Sequence, residues 1–205
     1  MEDNTESLKE RASKGLFWGG MNNLVQQFIG IVFGIILGRL LSQDDYGMVA
    51  MIGVFSLVAT ALQDSGFKTA LANLEHPEHK DYNSVFWFNI IAGAVLYLIL
   101  FLVAPLIAAY YDEPALIPLC HYAFLSVVIA SWGTAQNAWL FKNLRAKQQA
   151  KAAMAAVLMS SIVGALMAFA GFGYWSLATQ GLVYVLINTV LVWHYSQWRR
   201  SSLAD

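Results

Sequence analysis

"GIVFGIILGRLLSQDDYG", residues 30–47, is an apolar run with glycine at every fourth position, closed by an arginine and then by two aspartates. Its apolar part reaches back to about residue 16, and ~20 such residues are what an α-helix needs to cross a bilayer. The rest of the chain has the same character. Apolar residues make up 58% of the 205 and charged residues 12%, against ~25% charged in a soluble domain. Seven tryptophans and nine tyrosines suit a protein whose rings sit at lipid headgroups. No nucleic-acid partner is expected of a chain with a net charge of −1. Cys120 is the only cysteine, so no internal disulfide can form, and a buried thiol is the expectation.

Six stretches are long enough to span, near 16–41, 47–67, 84–110, 116–140, 152–171 and 174–195. The fold class expected is all-α and integral to the membrane. Residues 1–15 form a cytoplasmic segment, 16–198 a six-span lobe and 199–205 a cytoplasmic tail. The second span is the weakest, because MVAMIGVFSLVATAL runs straight into Gln63 and Asp64. The length of the first run and its mixed-charge leader argue against a cleaved signal peptide.

With the N-terminus inside, eleven of the twelve lysines and arginines fall on the inner side, and Arg39 alone lies outside. The positive-inside rule therefore favours an even number of spans with both termini cytoplasmic. The outer connections SQDDYG, YYDEPAL and GFGYW are too short to pass a neighbouring helix, which predicts three antiparallel hairpins. The inner connection FKTALANLEHPEHKDYNS is expected to be half helical.

Asn22, Gln26, Gly30, Gly34 and Gly38 recur every four residues, a step that drifts only ~40° around a helix. They form one stripe. Its glycines predict close helix packing, whereas Asn22, Asn23, Gln26 and Gln27 should face protein or a wet cavity, since amides in lipid are costly. Two readings are open for Arg39. It is either an anchor that snorkels to the outer headgroups and pairs with Asp44 or Asp45, or a cation aimed into a central cavity, where a guanidinium suits a diphosphate.

GRLLSQDDYGMVAMIGVFSLVATALQDSGFKTAL resembles spans one and two of bacterial polysaccharide flippases in the multidrug, oligosaccharidyl-lipid and polysaccharide exporter superfamily, especially its colanic-acid or lipopolysaccharide exporter branch. SVFWFNIIAG, APLIAAYYDEPAL, LFKNL and GFGYWSLATQ follow in the order that the resemblance requires, covering about Lys14 to Trp198. Asn137 departs from the pattern, since related sequences often carry a base there. The resemblance implies a carrier that moves a polyprenyl diphosphate-linked oligosaccharide across the bacterial inner membrane by alternating access. Two six-helix lobes rock about a central cavity in such a carrier, and this chain matches the amino-terminal lobe only. A second lobe, or another copy, is then a partner alongside the lipid-linked oligosaccharide and membrane lipids.

Candidate cavity residues are Arg39, Asn22, Asn23, Gln26, Gln27, Asn89, Gln136, Asn137, Gln180 and Asn188. For each amide an ordinary interhelical hydrogen bond is the alternative. Asp64 stands one turn from Lys68, which reads as a local ion pair or as a site for a coupling proton or sodium ion. Lys142, Arg145, Lys147 and Lys151 are expected to meet anionic lipid. HPEHKD lacks a third placed metal ligand, and neither His121 nor His194 has a local nucleophile or acid. Without a GxSxG, Walker or zinc motif, neither an enzyme nor a cofactor or metal protein is expected. The alternatives to a carrier lobe are a noncatalytic scaffold and an enzyme subunit of polysaccharide assembly.

Overall fold

The computed structural model describes residues 2–63 and 78–198, with side chains from residue 19 onward except those of Asn22 and Gln63. Among the described residues all regular structure is helical: α1 (Glu2–Leu40), α2 (Gln43–Gln63), α3 (His79–Tyr111), α4 (Leu116–Ala123), α5 (Leu125–Ser131), α6 (Thr134–Lys142), α7 (Ala146–Phe169) and α8 (Tyr174–Tyr195). Five helices, α1 from Gly19 on, α2 to Leu62, α3, α7 and α8, are long and apolar enough to cross a membrane, and α4 to α6 together have the length and apolar character of a sixth if the bent segment is one crossing. Leu24, Phe28, Ile31, Leu57, Leu98, Leu102, Leu106 and Leu166 are exposed, as helix faces turned to lipid should be. Asp64, Lys68, His76 and most of the inner connection lie outside the described residues.

Helix α7 organises the bundle. Ala152, Ala156, Ser160, Gly164 and Ala168, at successive steps of four, are all buried, and this stripe of small side chains lets neighbours approach closely. Helix α8 packs along α7 and α1 lies against it as well. A Cβ at Gly164 would stand 3.0 Å from Cβ of Gln180 on α8. The glycine stripe of α1 behaves differently: a Cβ added at Gly30, Gly34 or Gly38 meets nothing within 4 Å. The expectation that these glycines form a packing surface within the chain is therefore corrected. The small-residue contact is made by α7, and α1 meets it through Leu37 and Leu41, which cluster with Ala168.

Of the expected hairpins, α3 packs on α4 to α6, and α7 on α8. The first does not close in this way, since α1 packs chiefly on α7 and α2 chiefly on α8. The reason is the direction of their apolar faces. Met48 and Ile52 of α2 enter a core with Ile107, Leu116, Leu119, Cys120, Phe124 and Ala178, away from the α1 contact. The short turn between α1 and α2 is held by a capping box: Ser42 donates through its N–H and hydroxyl to Asp45 Oδ2 (2.9 and 2.8 Å), and the Asp45 N–H donates to Ser42 Oγ at 3.2 Å. The same carboxylate abuts the α7–α8 turn. Gly173 there has φ +55°, and a Cβ on it would lie 2.7 Å from Asp45 Oδ1, so only glycine satisfies both the backbone and the contact.

The fourth span, expected to be one helix over 116–140, is in three pieces, with a bend of 44° between Leu116–Ser131 and Thr134–Lys142. Polar side chains of neighbouring helices donate to backbone carbonyls around the breaks, as suits peptide groups inside a membrane. Thr189 Oγ1 donates to the Ile129 carbonyl (3.4 Å) and Trp193 Nε1 to that of Trp132 (2.7 Å), while Gln149 Nε2 reaches that of Asn137 (3.1 Å). At the same end Phe86, Trp193, Tyr82, His79 and Trp198 form a chain of ring contacts with centroids 5.6–5.9 Å apart, where aromatic residues suit the membrane interface.

Helix α3 runs unbroken through Pro105. Proline has no N–H and so leaves the carbonyl four residues back without its helical donor; here that carbonyl belongs to Phe101. The His121 ring fills the vacancy: Nε2 lies 3.2 Å from the Phe101 oxygen, and the imidazole stacks on the Phe101 ring at 3.7 Å. The tautomer that donates is the one with its proton on Nε2. His121→Phe should therefore lower thermal stability in detergent, by about 1–2 kcal/mol. In a Pro105→Ala background, where the substituted residue restores the N–H, the same change should cost much less. Additive effects of the two substitutions would show that His121 does not serve the proline gap.

Candidate functional site

Four helices each turn one stripe toward a common hollow of about 700 Å³. From α1 come Gln26 and Gly30; from α2 Tyr46, Val49, Ala50 and Gly53; from α7 Val157, Ser160 and Ser161; from α8 Leu177, Gln180, Gly181 and Tyr184. The spacings of three and four are those of a single helix face. A second hollow of about 300 Å³ adjoins it, sharing Val49, Gly53, Leu177, Gly181 and Tyr184 and adding Ser56 and Ser126. Both sizes lie within the ~300–1,000 Å³ typical of small-ligand sites.

Glycine makes the space. Nothing within 4 Å would meet a Cβ at Gly30, Gly53 or Gly181, so these positions contribute backbone and no volume to the wall. The polar groups are few and partly held. Gln180 Nε2 donates to Ser161 Oγ at 3.3 Å, and Ser160 Oγ donates to the Val157 carbonyl of its own helix at 3.1 Å. Gln26 and Tyr184 are half-buried, and Tyr46 is exposed at the mouth. Among the described residues, none that lines either hollow carries a charge.

Of the ten residues expected at a cavity, Gln26 and Gln180 alone are brought together here. The side chain of Asn22 and all of Asp64 lie outside the described residues. Asn23 and Gln27 are exposed. Asn89 is buried but donates to the Val85 carbonyl of its own helix at 2.8 Å. Asn137 and Asn188 are half-buried and line neither hollow. Gln136 is fully buried in the fourth-span segment, and neither its amide oxygen nor its nitrogen has a hydrogen-bond partner among the described residues.

Arg39 is exposed and lines neither hollow. Of the two acids considered as its partners, Asp44 and Asp45, the second has its carboxylate engaged by Ser42 and set against the Gly173 turn. Tyr46, Ser160, Ser161 and Tyr184 were not expected at a site. For Ser160, Ser161 and Tyr184 the signal is present in SSIVG and TQGLVY, where polar residues interrupt apolar spans. Among the described residues no group of three or more histidine, cysteine or acidic side chains is placed to hold a metal.

The buried amide of Gln136 yields a stability prediction. An unsatisfied buried amide costs about 1–3 kcal/mol, so Gln136→Met, of similar shape, should raise the melting temperature in detergent. A lower one would mean that the amide has a partner in the folded protein.

The chain is similar to the lipopolysaccharide biosynthesis protein WzxC of Escherichia coli strain K12, with 23% identity over 185 residues, covering 90% of this chain and 37% of that protein. It is 27% identical over 153 residues to the succinoglycan biosynthesis transport protein ExoT of Rhizobium meliloti strain 1021, covering 75% of this chain and 31% of that protein. With the teichuronic acid biosynthesis protein TuaB of Bacillus subtilis strain 168 it shares 24% identity over 138 residues, covering 67% and 29%. The chain thus spans about a third of the length of these relatives. No solved structure matches it. The polysaccharide biosynthesis protein family matches residues 36–204, most of the chain and all but the first of its spans, and this membrane protein belongs to that family.

Proposed function

We propose that the chain forms one lobe of a carrier that moves a lipid-linked oligosaccharide, built on a polyprenyl diphosphate, from the cytoplasmic to the outer face of the bacterial inner membrane. The observation that carries this reading is a hollow of about 700 Å³, mostly apolar with a few polar groups from Gln26, Ser160, Ser161, Gln180 and two tyrosines, among helices whose other faces are apolar and exposed. A sugar cannot cross ~30 Å of hydrocarbon unaided, whereas a prenyl tail is at home there. A hollow among spans serves the first need and leaves the tail in lipid.

Alternating access about this lobe requires a facing bundle, supplied by a second lobe or another copy, since one bundle moves against another around a fixed site. Both termini face the cytoplasm, as the distribution of lysine and arginine supports. The lobe has no catalytic role. Arg39, exposed at the outer end of α1, is an anchor at the headgroups. A coupling proton or sodium ion is left to groups other than the described lining of the hollow, which includes no acid.

Deletion of the gene should cause lipid-linked repeat units to accumulate on the cytoplasmic leaflet. Complementation with Arg39→Ala should restore export, whereas Gly181→Leu, which places a side chain in the hollow, should give stable protein and little export. Normal outward delivery in the deletion strain, with only polymer length altered, would instead favour an enzyme subunit of assembly.

A further inference from the structure

We propose that the corner between α6 and α7, residues 139–151, is a docking surface for anionic phospholipid headgroups, with Phe141 and Leu144 set among the lipid tails and Lys142, Arg145, Lys147 and Lys151 at the level of the phosphates. This inference does not depend on the transport reading. The first observation is charge. Four bases fall within ten residues, and from Pro114 to Ala204 the chain holds no aspartate or glutamate. Lys147 and Lys151 are exposed and lie one turn apart on α7, and Lys142 and Arg145 are half-buried. Bases gathered where a span ends attract anionic lipid.

The second observation is backbone geometry. Helix α6 closes with the Arg145 N–H donating to the Leu140 carbonyl (2.9 Å) and the Leu144 N–H to that of Phe141 (3.1 Å), and Leu144 has φ +52°. Glycine is the usual residue at that place in such a helix end, because a Cβ crowds the left-handed conformation. Leucine stands there instead. Packing within the protein does little to offset the strain, since Leu144 is 57% exposed, and Phe141 three residues before it is 60% exposed. Two large apolar side chains turned outward among bases are placed to enter the headgroup and acyl boundary.

The third observation sets the depth. Trp139 packs in the aromatic cluster with Tyr82, Phe86 and Trp193, side chains of the kind that gather at headgroup level. The Arg145 guanidinium lies 5.0 Å over the Trp139 ring. The bases therefore sit at the height of this belt, where they meet phosphate oxygens through charge-assisted hydrogen bonds.

The test uses the full chain in nanodiscs of equal phosphatidylglycerol and phosphatidylcholine, with a fluorophore on the thiol of Asn143→Cys, an exposed position between the two apolar side chains. A second reporter, Phe172→Cys, is exposed at the opposite end of α7, in the turn to α8. Cys120 is fully buried, and the unsubstituted protein measures its background. Brominated acyl chains are carried by one lipid or the other, and the ratio of quenching reports which lipid gathers. At Asn143→Cys, brominated phosphatidylglycerol should quench about fivefold more than brominated phosphatidylcholine, the preference that one base near a membrane surface confers. At Phe172→Cys the two should quench alike. The preference should vanish in about 1 M salt, where screening acts within ~3 Å, and in a protein carrying Lys142→Gln, Arg145→Gln, Lys147→Gln and Lys151→Gln.

Equal quenching by the two lipids at Asn143→Cys in low salt would overturn the proposal, as would a preference that survives salt or the four substitutions. Absence of quenching by either lipid would mean that the corner stands clear of the bilayer, and would overturn it too. The salt series needs no charge substitution, so it decides the matter even where the fourfold variant does not fold.

Discussion

The close approach of α1 and α8 to α7 is the constraint on which the remaining structure depends. In lipid, helices gain nothing from hiding apolar surface, so association rests on packing and on polar contacts between them. The stripe of Ala152, Ala156, Ser160, Gly164 and Ala168 supplies that packing on α7. It also brings Ser161 within reach of Gln180, so one contact both joins two helices and sets a wall of the hollow. Helix α2 is drawn the other way, into the core with α3, α4 and α8. The hollow is the space left between these two sets of contacts.

A second constraint is that no backbone carbonyl can be left unpaired in hydrocarbon. Among the described residues, the proline of α3 and the breaks of the fourth span are each met by side chains from another span. His121 answers the gap made by Pro105, and Thr189, Trp193 and Gln149 donate to carbonyls on either side of the breaks in the fourth span. These bonds tie bent elements to straight ones. They allow a span to be broken without exposing its peptide groups to lipid.

The glycines show how one residue type serves opposite ends. At Gly164 the missing side chain admits Gln180, and at Gly173 it admits the carboxylate of Asp45 together with a left-handed turn. At Gly30, Gly53 and Gly181 it admits nothing, and the result is volume. The stripe on α1 had every sequence feature of a packing surface. What distinguishes it from the stripe on α7 is the neighbour opposite each position, which no spacing within one helix can reveal.

Hydropathy and charge bias are properties of the chain in one dimension, and hydropathy sufficed for the membrane class, the helical content and the five to six helices able to cross. The sixth span, expected over 174–195, is the observed α8 (Tyr174–Tyr195). They also located polar residues on the spans, because each such residue stands out against an apolar background. Which of those residues meet was decided only by tertiary structure. Gln26 and Gln180 share a hollow, Asn89 bonds its own helix, and Gln136 is sealed in the interior. The physical reason is that spacing fixes the face of a helix on which a residue lies, whereas the rotation of that helix against its neighbours follows from packing contacts far apart in sequence.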